Sequence, residues 1–174
     1  MNIVLCGFMG SGKTTIGRVL ARYSGYEFVD MDNYIEQTQG MKIPEIFNQY
    51  GEPGFRHIET QACRDLGAGD GRVIATGGGA LLKEENADAL RKNGTIFFLD
   101  PPFPAILSRL RASKVPRPVI MGKTDAEIRA IYDARIGAYA RNSDVRMTLS
   151  APPQEFALEI LQRAGIHPSS WNIL

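Results

Sequence analysis

Apolar positions along the chain fall into short blocks separated by stretches of helical period. Ile3-Val4-Leu5-Cys6 has no polar alternation, which predicts a strand buried on both faces, as in a parallel sheet. A glycine-rich turn follows, and Ile16, Val19 and Leu20 then recur at helical spacing within Thr14–Tyr23. The unit repeats. Phe28-Val29 is a brief second strand ending in Asp30-Met31-Asp32, and helices are expected around Tyr34–Gln39, Ile43–Tyr50 and Phe55–Leu66. Pro44 suits a first helical turn, and Gly40 and Gly51 suit stops. Arg72–Thr76 is a third strand closed by Gly77-Gly78-Gly79, and Glu84–Lys92 is a charged helix. Thr95–Leu99 is a fourth strand ending at Asp100-Pro101-Pro102, and Pro104–Leu110 starts another helix. Ala112–Lys123 has no apolar period, two prolines and three basic residues, and reads as a mobile loop. Asp125–Tyr139 is a long helix, Val145–Leu149 a last strand and Pro153–Ala164 a final amphipathic helix. Five strands alternating with helices predict an α/β architecture, a five-stranded parallel sheet flanked by helices. No repeat, low-complexity tract or linker divides residues 1–174, so one domain is expected.

Composition narrows the function classes. With 44% hydrophobic and 22% charged residues the chain is that of an ordinary globular protein. Its 20 basic and 19 acidic residues lack the basic excess usual in nucleic-acid binders, so no nucleic-acid partner is expected. Cys6 and Cys63 have neither CxxC spacing nor a neighbouring histidine cluster, which argues against a disulfide framework or zinc site. The segment MNIVLCGFMG lacks a basic start and long apolar stretch, and no segment approaches the about 20 apolar residues of a membrane span. A cytoplasmic protein with reduced thiols and no membrane partner is expected, with a monomer as the default.

The strongest chemical signal is Gly7-Phe8-Met9-Gly10-Ser11-Gly12-Lys13-Thr14, which matches G-x-x-x-x-G-K-S/T between a predicted strand and helix. Glycines let the backbone curl so that its N–H groups face phosphate oxygens, and the helix start turns its positive dipole end to the same place. Lys13 would reach the transferring group, and the Thr14 hydroxyl can ligate magnesium. The expectation is a three-layer P-loop fold that binds ATP with Mg2+ through Gly10, Ser11, Gly12, Lys13, Thr14 and Thr15. The motif alone names no reaction.

Three further features bear on the acceptor. Asp30 and Asp32 close the second strand, where open α/β sheets bind ligands. Either could hold magnesium through water or orient a hydroxyl, and Asp32 could equally cap the following helix. Gly77-Gly78-Gly79 suits close approach of a ligand to the backbone or a plain flexible turn. Arg56, Arg117 and Arg135 could each grip a carboxylate or phosphate, although any one alone reads as a solvated surface residue.

GFMGSGKT, FVDMD, GFRHIE, ATGGGA, RP and RIGAY occur in the order and approximate spacing of the shikimate kinases, over residues 3 to 149. The chain therefore resembles that family, whose fold is nucleoside monophosphate kinase-like. The resemblance implies ATP-dependent phosphorylation of the shikimate hydroxyl to shikimate 3-phosphate, on the route to chorismate and the aromatic amino acids. It implies that Asp30 joins Thr14 in holding magnesium and that Asp32 binds the substrate hydroxyls and accepts the reacting proton. Arg56 and Arg135 would clamp the shikimate carboxylate, with Gly78 and Gly79 offering backbone N–H groups. Arg117 would be the lid arginine, in a mobile segment at about 112–123, and residues 32–60 would form a substrate-binding helical region. Arg109 would pack on adenine, with Arg111 close enough in sequence to leave the register open. Lys13, Asp32 and Arg117 are thus the expected catalytic groups.

The chain departs from the family at Gly137, where R-x-P-x-Y has proline, at RPVI in place of RPLL, and at His57. General rules alone would also choose Asp100, ending the apolar run TIFFLD, as the magnesium aspartate. The resemblance assigns that work to Asp30. A gluconate kinase and a non-catalytic ATP-binding module are the competing readings.

Overall fold

The computed structural model describes residues 1–114, 117–148 and 151–168. Five strands, β1 (Asn2–Cys6), β2 (Glu27–Asp30), β3 (Arg72–Ala75), β4 (Gly94–Leu99) and β5 (Val145–Met147), form one sheet in the order β2-β3-β1-β4-β5. Every pairing is parallel; Val4 of β1 lies opposite Ile74 of β3 on one side and Ile96 of β4 on the other. The helices are α1 (Lys13–Ser24), α2 (Met31–Gln39), α3 (Ile43–Ala68), α4 (Glu84–Arg91), α5 (Phe103–Ala112), α6 (Asp125–Arg141) and α7 (Pro153–Arg163).

The continuous apolar runs have a direct structural cause. Ile3 and Leu5 pack with Ile16 and Leu20 of α1 and Phe156 and Ile160 of α7. Val4 and Cys6, pointing the other way, pack with residues of α2 to α6 such as Ile35, Leu66, Leu90 and Ile128. Both faces of β1 are covered, so alternation with polar residues would place polar groups in a core. Parallel strands also bring every carboxyl end to one edge. β1 stands where the sheet order switches direction, the position at which such sheets bind ligands.

Element boundaries moved in places. Helix α2 begins at Met31, earlier than its apolar spacing suggested, because the Asp30 side chain accepts from the Asp32 and Asn33 backbone N–H groups at 3.1 and 3.2 Å. The cap is therefore Asp30, not Asp32. The two helices expected over 43–66 form one run, α3, bent at Gly51 (φ 67°, ψ −178°). Strand β5 ends at Met147, and Leu149 lies outside the described residues. A short 3-10 turn, Ala80–Leu82, follows the glycine run and had no signal in the apolar pattern.

The 112–123 segment has more order at its end than its aperiodic sequence implies; Val115 and Pro116 lie outside the described residues. The Arg117 carbonyl accepts from the Ile120 and Met121 N–H groups at 3.0 Å, and Ile120 is buried in the α2–α6 core. No helix among the described residues is long and apolar enough to cross a membrane.

Candidate active site

A cleft of about 600 Å³ opens at the carboxyl ends of β1, β2 and β3, lined among others by Lys13, Thr14, Asp30, Asp32, Gly78 and Arg117. Its floor is the turn after β1. Gly7, Gly10 and Gly12 have φ of 140°, 78° and 99°, a region that side-chain-bearing residues rarely adopt. A Cβ on Gly7 would also stand 2.5 Å from the Leu99 carbonyl oxygen. Lys13 Nζ donates to the Gly7 and Phe8 carbonyls at 2.7 and 3.1 Å, which curls the side chain back over the loop. Burial brings its ammonium down to about 8; Arg117 pushes the same way, while Asp32 and Asp30 oppose. Gly10, Gly12 and Thr15 also line the cleft, whereas Ser11 is buried behind the loop.

Since Asp30 takes the cap, Asp32 is left in the first turn of α2 with its carboxylate in the cleft. Enclosure by the cleft walls, with Asp30 and Glu59 nearby, raises that carboxyl to about 6, though Asp32 remains open to water from the mouth. A carboxylate of that strength is a better proton acceptor than an ordinary aspartate and is still largely ionised at neutral pH.

The three glycines after β3 are explained by space, since none of them has a positive φ. A Cβ on Gly77 would lie 2.8 Å from Asp32 Oδ1, and one on Gly79 would lie 2.5 Å from a terminal nitrogen of Arg56. A terminal nitrogen of Arg135 comes within 3.9 Å of the same position on Gly78. Asp32, Arg56 and Arg135 thus converge on consecutive glycines from three different helices. Arg56, Gly79 and Arg135 stand beside the 600 Å³ cleft and are not among the residues lining it.

Glu59 was not singled out in the sequence. It is 1% exposed and accepts from Arg56 at 2.8 Å. Burial raises its carboxyl and the Arg56 guanidinium pulls it back. Its signal was the i,i+3 spacing from Arg56 within GFRHIE, which reads equally as a surface ion pair. Tyr139, the last residue of RIGAY, is buried and its hydroxyl donates to the Gly78 carbonyl.

Arg109, which also lines the cleft, donates to the Gly10 and Ser11 carbonyls at 3.3 and 3.4 Å. It borders a hollow of about 130 Å³ shared with Gly12, Thr15, Pro101 and Pro153. Arg111 turns away to Asp125 at 2.5 Å and the Lys123 carbonyl at 3.0 Å. The structure therefore brings Arg109, not Arg111, to the loop.

Asp100 is outside the cleft. One of its oxygens accepts from the Tyr132 hydroxyl at 2.6 Å and the other from Arg146 at 2.9 and 2.5 Å. By contrast, both cap bonds of Asp30 fall on one oxygen, and Asp30 lines the cleft with Thr14. No group of three or more His, Cys, Asp or Glu among the described residues is arranged to hold a metal ion by itself. That donor set fits magnesium, which keeps waters and phosphate oxygens as most of its ligands.

The parallel sheet, the phosphate loop at its switch point and the carboxylate–arginine cage beyond β3 define a P-loop small-molecule kinase. The family model described as shikimate kinase matches residues 9–164. The shikimate kinase of Geobacter sulfurreducens is 45% identical over 147 residues, 84% of this chain and 80% of that protein. That of Symbiobacterium thermophilum is 40% identical over 166 residues, 94% of this chain and 95% of the relative. A solved structure, shikimate kinase from Acinetobacter baumannii in complex with shikimate, superposes with a TM-score of 0.84 at 35% identity, covering 93% of this chain and 91% of that one. The chain belongs to the shikimate kinase family.

Proposed function

We propose that the protein transfers the γ-phosphoryl group of ATP to a hydroxyl of shikimate, giving shikimate 3-phosphate and ADP. The observation that carries this reading is the convergence of Asp32, Arg56 and Arg135 on the three glycines beside a phosphate loop. Arg56 and Arg135 would grip the acceptor carboxylate in two-point fashion, with Gly78 and Gly79 N–H groups meeting the ring substituents. Asp32 would accept the hydroxyl proton as the oxygen bonds to phosphorus and the bond to the ADP oxygen breaks.

Lys13 and Arg117 would offset the negative charge of the transferring group. The Arg117 Nε is enclosed and has no hydrogen-bond partner among the described residues, so it is a donor free to meet phosphate oxygens. Residues 112–123 would serve as the lid that carries it, excluding water that would otherwise hydrolyse ATP. Residues 32–60 would form the acceptor-binding region of a single domain. Arg109 would pack on adenine over the hollow beside Pro153. Magnesium, held through Thr14 and Asp30, would screen the phosphate charge and orient the phosphates in line.

The test follows ADP release from ATP and magnesium with shikimate, with gluconate, and with neither. Shikimate-dependent release that fails in Arg135→Ala supports the reading. Release driven by gluconate, or slow hydrolysis indifferent to every acceptor, would overturn it.

A further inference from the structure

We propose that Tyr139 is a positioning residue for the acceptor clamp, its hydroxyl joining the Arg135 guanidinium to the Gly78 carbonyl. The proposal rests on the reading of Arg135 as an acceptor-binding group. Three observations carry it. The Tyr139 hydroxyl donates to the Gly78 carbonyl, across 61 residues of sequence. The Arg135 guanidinium is within hydrogen-bonding reach of the same hydroxyl, and independently it stands beside Gly78. The Tyr139 ring is 1% exposed and tilted against Phe98 with centroids 5.5 Å apart, so the hydroxyl has little freedom to choose another partner.

A phenol suits this place because one oxygen both donates and accepts. Its proton goes to the carbonyl and a lone pair receives the guanidinium N–H. Burial pushes the Tyr139 hydroxyl up to about 12, with Arg135 opposing, so it stays a donor throughout the working pH range.

The helix makes the device necessary. Tyr132, Arg135 and Tyr139 share one face of α6 at i, i+3 and i+7. Tyr132 ties that face to Asp100 at the end of β4, and Tyr139 ties it to Gly78 beyond β3. Between the arginine and its anchoring tyrosine lies Gly137, which is exposed and adds no stiffness. An arginine has four rotatable side-chain bonds, and a clamp loses affinity when those must be ordered on binding. Tethering to a buried hydroxyl orders them beforehand. The same tether fixes the Gly78 peptide, so clamp and glycine backbone are held in one frame.

Tyr139→Phe in the full chain removes the oxygen and keeps the ring packing. The expected result is a rise in the shikimate KM of about tenfold, about 1.4 kcal/mol, with kcat and the ATP KM changed by less than about twofold. In an Arg135→Ala background the same substitution should add less than about twofold, because the tethered group is gone. A second readout needs no acceptor: the Arg135 Nη–H NMR signals should be separately resolved in the wild type, where guanidinium rotation is slow, and averaged in Tyr139→Phe. An unchanged shikimate KM, equal rises in both backgrounds, or an unchanged guanidinium signal would overturn the proposal. A wild type that ignores shikimate, with a guanidinium signal that still collapses in Tyr139→Phe, would keep the tether and discard the acceptor.

Discussion

Replacing Asp32 by asparagine should cripple transfer and, above about pH 6, stabilise the protein. The two effects share one cause. Asp32 is not needed to cap α2, because Asp30 does that work. Its carboxylate is instead held in a partly enclosed cleft near Asp30 and Glu59, an environment that opposes ionisation. The folded value, about 6, lies above the ordinary 3.8. The unfolded chain therefore ionises first as pH rises, and stability is lost progressively between about 4 and 6. At full strength that difference corresponds to about 3 kcal/mol. Asp32 is open to water from the cleft mouth, however, and screening reduces the figure to about 1 kcal/mol.

Asparagine has the same shape and no charge, so it should recover that amount. For a chain of this size about 1 kcal/mol is a Tm increase of about 2–4 °C. The assay is thermal unfolding of both proteins without nucleotide, from about pH 3 to pH 8. The melting curves should coincide near pH 3, where Asp32 is protonated in the folded and the unfolded chain alike, and separate from about pH 4 to about pH 6. Beyond that the gap should be constant. The kcat of the variant should fall by about 10²–10⁴. An asparagine variant that melts lower at pH 8, or a gap independent of pH, would refute the reasoning: the carboxylate would then be stabilising the fold.

The glycines after β3 should respond in order of crowding: Gly77→Ala, with its Cβ 2.8 Å from Asp32 Oδ1, lowers kcat; Gly79→Ala, 2.5 Å from Arg56, raises the shikimate KM; Gly78→Ala, at 3.9 Å, changes little, all read from steady-state kinetics. Asp100→Asn should cost about 1–3 kcal/mol in urea unfolding by weakening bonds to Arg146 and Tyr132 while leaving activity of the folded protein within severalfold. Asp30→Asn should do the reverse, since asparagine caps a helix about as well as aspartate. Gly137→Ala should stabilise by about 0.5–1 kcal/mol in the same assay, as its Cβ would meet only the end of Arg141 at 3.4 Å.

What could be read from the sequence was whatever chemistry is local. The strand runs, the phosphate loop and the helical periods each depend on neighbours a few residues apart, and each stands close to where the pattern placed it, with boundaries shifted at α2, α3 and β5. The two aspartates of FVDMD show where locality ends. Either can cap a helix, and only the backbone entering α2 decides that Asp30 does so. Asp100 shows the same limit more sharply: its partners Tyr132 and Arg146 are 32 and 46 residues away, so an isolated aspartate after an apolar strand looks free for a metal when it is not. The glycine run was legible as a place of close approach. What approaches it, Asp32, Arg56 and Arg135 from three helices, was given only by the family resemblance, because nothing local ties those residues to the glycines.

Charge makes the same point about function. A chain with 20 basic and 19 acidic residues looks electrically featureless, yet its groups are sorted in space. Lys13, Arg109 and Arg117 border the phosphate loop, Arg56 and Arg135 stand at the glycine run, and Asp30, Asp32 and Glu59 lie in between. The carboxylates hold the basic groups at two separate poles: Asp32 and Asp30 support the Lys13 ammonium against burial, and Glu59 anchors Arg56. In the proposed reaction both substrates are anions that must meet without either occupying the other's place. Phosphates and an acceptor carboxylate are each drawn to a pole and repelled from the acidic centre, so the group left to face Asp32 is the neutral hydroxyl.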